Sequence, residues 1–376
     1  MLKYRKISNI ILIIAFALII TLPQGLFIFL ELDLPVDNSE NRELAQKPDF
    51  KLENIASYPD EYEKYYNDNL PFRSIIRTAW TSLNFYLTRE TTTDKVLVGK
   101  NDGNIASTWL FFQDETESTN PVKEAQGLEV FSEDEMQQIA NSITGNTAVL
   151  KDRGVELYYA IIPNKENIYK HKLPDNITIF DEQTRLDKLM DFIEAETELQ
   201  NVFYLKDALA EATKENQTYQ KQDTHWNDYG AFVGFQEIVN KIDGEYNNFE
   251  HNHIIGDEKH LPQDLAKMAG IKRIFKDYEI KVEFLPEVAY TETVLETANR
   301  IVITDCPGAP IDKTLVIAGD SFRVGMIPYF SRIYSKVVYM HRCEYANYVL
   351  DTYQPDIIVF QMLERYVDAL PYFNLY

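Results

Sequence analysis

Three runs in this chain are apolar almost without interruption: Val155-Glu-Leu-Tyr-Tyr-Ala-Ile-Ile162, Thr314-Leu-Val-Ile-Ala318 and Asp356-Ile-Ile-Val-Phe360. A strand with one solvated face alternates apolar and polar side chains, whereas an unbroken apolar strand must be covered on both faces. Val202–Leu205 and Val337–Met340 are shorter runs of the same kind. Helical periodicity separates them, in Leu186–Leu199, Asp228–Val239, a short stretch ending at Ile333, and Glu344–Thr352. Ser132–Lys151 adds a helix opened by Ser132-Glu-Asp-Glu135, a capping-box pattern. Strands alternating with helices in this way predict an α/β domain, a doubly wound parallel sheet with helices on both faces. Residues 244–303 mix charge with short apolar runs and read as an insertion over one edge or face.

Upstream, Val96–Gly99 and Trp109–Phe112 read as a strand pair. Glu61–Tyr66 and Ser74–Tyr86 are helical in spacing, with a turn at 67–73 between them. Residues 31–60, carrying Pro35 and Pro48 among Asp, Asn and Glu, read as a stalk. Before it, Ile7–Leu30 has no charged side chain, and Lys3, Arg5 and Lys6 precede it. Roughly 20 apolar residues span a bilayer, and basic residues stay on the cytoplasmic side. Residues 1–30 therefore read as a single-pass transmembrane anchor with its N-terminus in the cytoplasm and residues 61–376 outside as the main folded domain. A cleaved signal peptide fits less well, because Ala15-Phe-Ala17 lies inside the apolar core.

The net charge of −22 and a pI near 4.7 argue against nucleic acid as a partner, since phosphate backbones recruit clustered Lys and Arg. Two cysteines, Cys306 and Cys343, do not make a disulfide scaffold. They either pair outside the membrane or remain separate thiols.

Gly319-Asp320-Ser321-Phe322 follows directly on the run ending at Ala318, which sets a serine at a strand-to-helix turn. Ligands of open α/β sheets sit beyond the carboxyl ends of the strands. About a hundred residues upstream, Asp223-Thr-His225-Trp226 offers a carboxylate two residues before an imidazole. Together they provide a nucleophile (Ser321), a general base (His225) and a group that orients the base (Asp223). The local alternative is that Asp223 or Thr224 caps the following helix and that Asp320-Ser321 caps the one after it.

Gly-Asp-Ser after a strand, combined with Asp-x-His-Trp, resembles the SGNH hydrolase superfamily in its circularly permuted form, in which Asp-x-His precedes the serine block. The chain is most similar to the alginate O-acetyltransferase (AlgJ/AlgX-like) and DHHW group. Supporting blocks are Tyr65–Arg73, Val98-Gly99-Lys100 leading to Trp109–Phe112, Ile162–Tyr169 and Leu363-Glu364-Arg365. Thr224 stands where the DHHW signature has its first histidine, and the spacer from Gly103 to Trp109 is wide. The resemblance implies a membrane-anchored, extracytoplasmic enzyme that moves acetyl groups onto hydroxyls of a cell-surface or secreted polysaccharide. It also implies no cofactor and a membrane-bound O-acyltransferase partner as acetyl donor. Asn164, Arg323, Glu364 and Arg365 are candidates for oxyanion or substrate contacts, and Glu364-Arg365 also reads as an internal ion pair that positions the site. The acidic surface favours a neutral or amino-sugar polymer over a uronate unless a local basic groove reverses it.

Rival readings use the same residues differently: a carbohydrate esterase or deacetylase with water as acceptor, or a non-catalytic glycan-binding scaffold. His251-Asn-His253 with Asp257, Glu258 and His260 has metal-ligand residue types, which keeps a metal-dependent deacetylase among the rivals. Nothing fixes a tetrahedral set, so no metal is expected, and a polar surface loop is the simpler reading.

Overall fold

A computed structural model describes residues 9–18, 21–22, 44–69, 73–100, 102–116, 119–244, 251–261, 263–271, 274–284, 288–346 and 348–375. The chain divides into two compact units, Met1–Thr92 with Lys267–Ile271, and Thr93–Ala266 with Lys272–Tyr376.

In the first unit, the helix Tyr58–Asp68 carries a proline in its first turn, with Asp60 and Glu61 at the positive end of its dipole. The helix Arg73–Thr88 follows, and Thr81 Oγ1 donates to the Gly270 carbonyl at 2.7 Å. Of the apolar span assigned as an anchor, residues 9–18 and 21–22 are described and helical. The remainder of that span and most of the stalk lie outside the described residues. Among the described residues no helix is long and apolar enough to cross a membrane.

The second unit opens with β1 (Val96–Val98) and β2 (Leu110–Phe112), an antiparallel pair with Val96 opposite Phe112. Its centre is a seven-stranded sheet built from β3 (Glu156–Ile162), β4 (Val202–Tyr204), β7 (Thr291–Leu295), β8 (Ile301–Asp305), β9 (Ile311–Gly319), β10 (Tyr334–His341) and β11 (Ile357–Leu363). The spatial order is β4-β3-β11-β9-β10-β8-β7. All seven residues of β11 are buried, as an unbroken apolar strand requires. Its side chains alternate between two cores. Ile357, Val359 and Leu363 join an aromatic layer with Trp226, Phe232, Phe235, Phe322 and Tyr329. Ile358, Phe360 and Met362 join an aliphatic layer with Ile139, Ile143, Leu186, Leu189 and Val349 from helices on the other face.

The expectation of an all-parallel sheet needs correction at one edge. The strands from β4 to β10 run parallel, but β8 pairs antiparallel with β10, and β7 antiparallel with β8. β7 and most of β8 come from the segment assigned as an insertion. Thr291-Glu-Thr-Val-Leu295 is mostly exposed, which an antiparallel edge hairpin tolerates and a buried parallel strand does not. The same segment also holds a separate antiparallel pair, β5 (His251–Lys259) and β6 (Asp277–Phe284).

The helix Glu133–Asp152 starts as its sequence predicts, with Ser132 Oγ accepting from the Glu135 N–H and the Glu135 carboxylate accepting from the Ser132 N–H at 2.8 Å. Both cysteines are free, Cys306 buried and Cys343 exposed.

Candidate active site

β9 ends at Gly319, where a side chain would force its neighbour aside: an added Cβ would lie 2.2 Å from Gln361 Oε1 on β11. This close approach lets Asp320 bind β11 directly. Asp320 Oδ1 accepts from the Phe322 N–H at 3.1 Å and from Gln361 Nε2 at 2.9 Å, and Oδ2 accepts from the Leu363 N–H at 2.7 Å. Asp320 thus caps the 3-10 turn Ser321–Met326 and fixes Ser321 at the sheet rim, with its side chain exposed.

The segment from Thr218 to Trp226 returns to the same rim. Tyr219 and Trp226 form an isolated antiparallel bridge. Asn227 caps the helix Asp228–Ile242 by accepting from the Gly230 N–H at 2.9 Å, so neither Asp223 nor Thr224 is needed for that cap. Gly230 is required there because a Cβ would meet the Thr218 carbonyl at 2.1 Å. Trp226 packs edge-on against Phe322, and the His225 ring lies 4.8 Å from Phe322.

Ser321, His225 and Asp223 meet. The Ser321 hydroxyl lies 2.7 Å from His225 Nε2, and His225 Nδ1 lies 2.7 Å from Asp223 Oδ1. A carboxylate only accepts, so Nδ1 carries the proton and Nε2 presents its lone pair to the serine hydroxyl. Burial disfavours a charged imidazole, but the Asp223 hydrogen bond and charge outweigh it, with Asp264 and Asp320 adding to them, and His225 titrates above the ordinary imidazole value. Burial likewise opposes the Asp223 charge, and His225 overcomes it, leaving that carboxyl below its usual range.

Residues outside the two catalytic motifs complete the site. Asp264 donates its backbone N–H to Asp223 Oδ2 at 2.8 Å, accepts from the Thr224 N–H at 2.8 Å, and places Oδ2 3.8 Å from His225 Nδ1. Burial, reinforced by the Asp223 charge, pushes its own carboxyl up. Lys165 is buried, and its Nζ donates to the carbonyls of Gln220, Lys221 and Asp223. The cleft in front of Ser321, about 480 Å³, is also lined by Arg323, His341, Arg342, Arg365 and Tyr366. Arg342 follows directly on β10 at the ligand-bearing rim, the one cue that could have identified it.

The four outer candidates divide. Arg323 and Arg365 line the cleft. Arg323 donates to the Asp320 carbonyl at 2.7 Å and to Asn299 O at 3.4 Å. Asn164 and Glu364 do not reach the site and are corrected to structural residues. Asn164 Nδ2 donates to buried Glu124 at 2.7 Å. Glu364 is fully buried and accepts from the Asn164 N–H, Asn167 Nδ2 and Tyr204 OH, each at 2.7 Å. Burial raises its carboxyl, and it has no ion pair with Arg365, whose guanidinium sits over Phe112 and Tyr366 instead.

The histidine cluster is not a surface loop. His251 and His253 sit on one face of β5 with rings 4.9 Å apart, packed against Phe232 and Tyr229. His260 bonds the Phe275 carbonyl at 2.6 Å. Among the described residues, the group of His, Asp and Glu atoms close enough to share a cation is Asp223, His225 and Asp264. Both imidazole nitrogens there already have protein partners.

No curated protein matches this chain. Among solved structures, a DHHW family protein from Eubacterium siraeum shares the fold, with 15% identity, a TM-score of 0.53, and coverage of 76% of this chain and 97% of its own. Bacillus cereus PatB1 aligns at 16% identity and TM-score 0.47, covering 72% of this chain and 97% of its own. The O-acetyltransferase domain of Pseudomonas putida AlgJ aligns at 16% and 0.46, covering 73% and 92%. Residues 101–322, a segment containing Asp223, His225 and Ser321, match the family model described as SGNH hydrolase-like domain, acetyltransferase AlgX. With more than half of its 376 residues inside that match, the chain belongs to the AlgX family of SGNH hydrolase-like acetyltransferase domains.

Proposed function

We propose that this protein is a membrane-anchored, extracytoplasmic O-acetyltransferase that uses Ser321 to move acetyl groups onto hydroxyls of a cell-surface or secreted polysaccharide. The observation that carries this reading is the pair of 2.7 Å contacts linking Ser321 Oγ to His225 and His225 to Asp223. In the first half-reaction His225 Nε2 takes the hydroxyl proton as Ser321 Oγ attacks the acetyl carbonyl carbon of the donor. The tetrahedral oxyanion collapses, the donor oxygen leaves with the proton from His225, and acetyl-Ser321 remains. In the second, His225 takes the proton of a sugar hydroxyl, whose oxygen attacks the acetyl carbonyl. The ester forms on the sugar and Ser321 recovers its proton. Asp223 stabilises the imidazolium in both steps. The Ser321 backbone N–H, at the start of the turn, serves as an oxyanion donor.

The uncharged span Ile7–Leu30 behind Lys3, Arg5 and Lys6 supports the anchor and the outward placement. A membrane-bound O-acyltransferase supplying the acetyl group is the partner that the family resemblance implies.

The test is partition of acetyl groups from p-nitrophenyl acetate between water and a panel of neutral and anionic oligosaccharides. We expect acetylated sugar from the wild-type protein and none from Ser321→Ala. Release to water alone, unchanged by any acceptor, would make the protein an esterase.

A further inference from the structure

The helix Arg73–Thr88 presents its apolar side to solvent, the reverse of a helix packed on a protein core. At about 100° per residue, Ile75, Ile76, Trp80, Leu83, Tyr86 and Leu87, with Ala79 among them, share one arc of roughly 140°. Every one of them is exposed. The inward side is largely polar. Thr81 is buried and donates to the Gly270 carbonyl, Arg77 and Thr78 are half-buried, and Phe85 is a buried apolar residue. A contiguous apolar surface of this kind marks a binding face.

Charge, ring type and tether all fit a bilayer surface to this face. The only charged residues of the helix are basic, Arg73 and Arg77, in a chain whose 59 Asp and Glu outnumber its 37 Lys and Arg. Basic residues beside an apolar arc are the pattern of a helix lying in the headgroup layer, where they meet anionic lipid. Trp80 and Tyr86 belong to the arc, and these two ring types settle at the membrane–water boundary. The helix also follows closely on the uncharged span of residues 7–30. Fully extended, residues 31–57 reach at most roughly 90 Å. With that span in a bilayer, docking of the helix is intramolecular, so a modest intrinsic affinity is enough.

We propose that the face formed by Ile76, Trp80, Leu83 and Leu87 lies in the headgroup layer of the membrane and holds the first unit down on the bilayer. The proposal rests on the membrane-anchor reading above and adds a second attachment point to it.

Trp80 reports its own surroundings, because it is 63% exposed while the other two tryptophans, Trp109 and Trp226, are 6% and 4% exposed. The full chain is reconstituted in phosphatidylcholine–phosphatidylglycerol vesicles, with and without lipids brominated near the headgroup end of their acyl chains. Tryptophan emission should be quenched by the brominated lipid, and quenched by iodide several-fold less than in a variant carrying Leu83→Glu and Leu87→Glu. Trp80→Phe should remove the bromolipid signal. Both leucines are exposed, so the double variant should keep its fold, checked by circular dichroism. If it does not, the bromolipid signal of the wild type against Trp80→Phe decides alone. Trp80 open to iodide and insensitive to brominated lipid would overturn the docking. Protection from iodide without bromolipid quenching would overturn it too, and protection that rises with the number of chains per vesicle would assign the face to a second copy of this chain. Alkaline extraction scores the anchor separately. A chain retained by the vesicles with Trp80 unquenched sinks the docking only, and a chain released by alkali although Trp80 was quenched beforehand sinks the anchor only.

Discussion

Lys165 Nζ donates to the Asp223 carbonyl at 2.6 Å, tying the turn after β3 to the loop that presents His225. The ammonium is fully enclosed, and burial, only partly offset by Glu166, Asp264, Asp223 and Asp277, pushes it down to about 8. Lys165→Met would leave the carbonyls of Gln220, Lys221 and Asp223 without this donor. We expect a loss of roughly 1–3 kcal/mol in denaturant unfolding and a slower acetylation burst. An unchanged burst rate would show that the loop is held by other contacts.

His225 must be neutral to act as the base, so the burst should rise with pH through a midpoint above the ordinary imidazole value of 6.5. Asp223→Asn removes the main group that favours the imidazolium, so the midpoint should fall while the plateau drops by as much as about 10⁴-fold. The sign for stability follows from the same shift. A raised folded value makes His225 stabilising below pH 6.5, a contribution lost as pH climbs through that raised value. Unfolding curves of the wild type should show this loss, and Asp223→Asn should flatten it.

Gly319→Ala places a Cβ 2.2 Å from Gln361 Oε1 and 3.0 Å from Gln361 Cβ, forcing aside the side chain that donates to Asp320. Overpacking of this kind costs about 1–3 kcal/mol, and here it also displaces Ser321. Gln361→Ala in the same chain should restore part of the stability, a non-additivity measurable in a double-mutant cycle.

Glu364→Ala tests the reassignment of that residue. It strands the Asn164 N–H, Asn167 Nδ2 and the Tyr204 hydroxyl in the protein interior, so it should lower stability by several times the roughly 1 kcal/mol of one ordinary hydrogen bond. Below its melting temperature, the acceptor KM should be unchanged. A raised KM with intact stability would return Glu364 to the binding site.

The legible parts of the chain were those whose chemistry is local. Unbroken apolar runs marked β3, β9 and β11, and Ser132 with Glu135 marked a helix start. Ser321 at a strand end and Asp223-x-His225 predicted a constellation whose distances are now 2.7 Å. The antiparallel edge was not legible, because Thr291–Leu295 is polar enough to pass for a loop until β8 pairs with it. Asn164 and Glu364 misled for a related reason. Both are polar residues just past strand ends, where ligand contacts and buried caps look alike in sequence. Only tertiary packing turns Glu364 inward while its neighbour Arg365 lines the cleft. Asp264 carries no motif at all, and Lys165 lies in the Ile162–Tyr169 block with no role legible there, since both act through backbone groups of a loop distant in the chain.

The most direct measurement is the mass of proteolytic peptides after millisecond mixing with p-nitrophenyl acetate and an acid quench. An acetyl group on the peptide containing Ser321, formed in the wild type and absent in His225→Ala, is the predicted result. Polysaccharide acetylation that proceeds while that peptide stays unmodified would contradict the account.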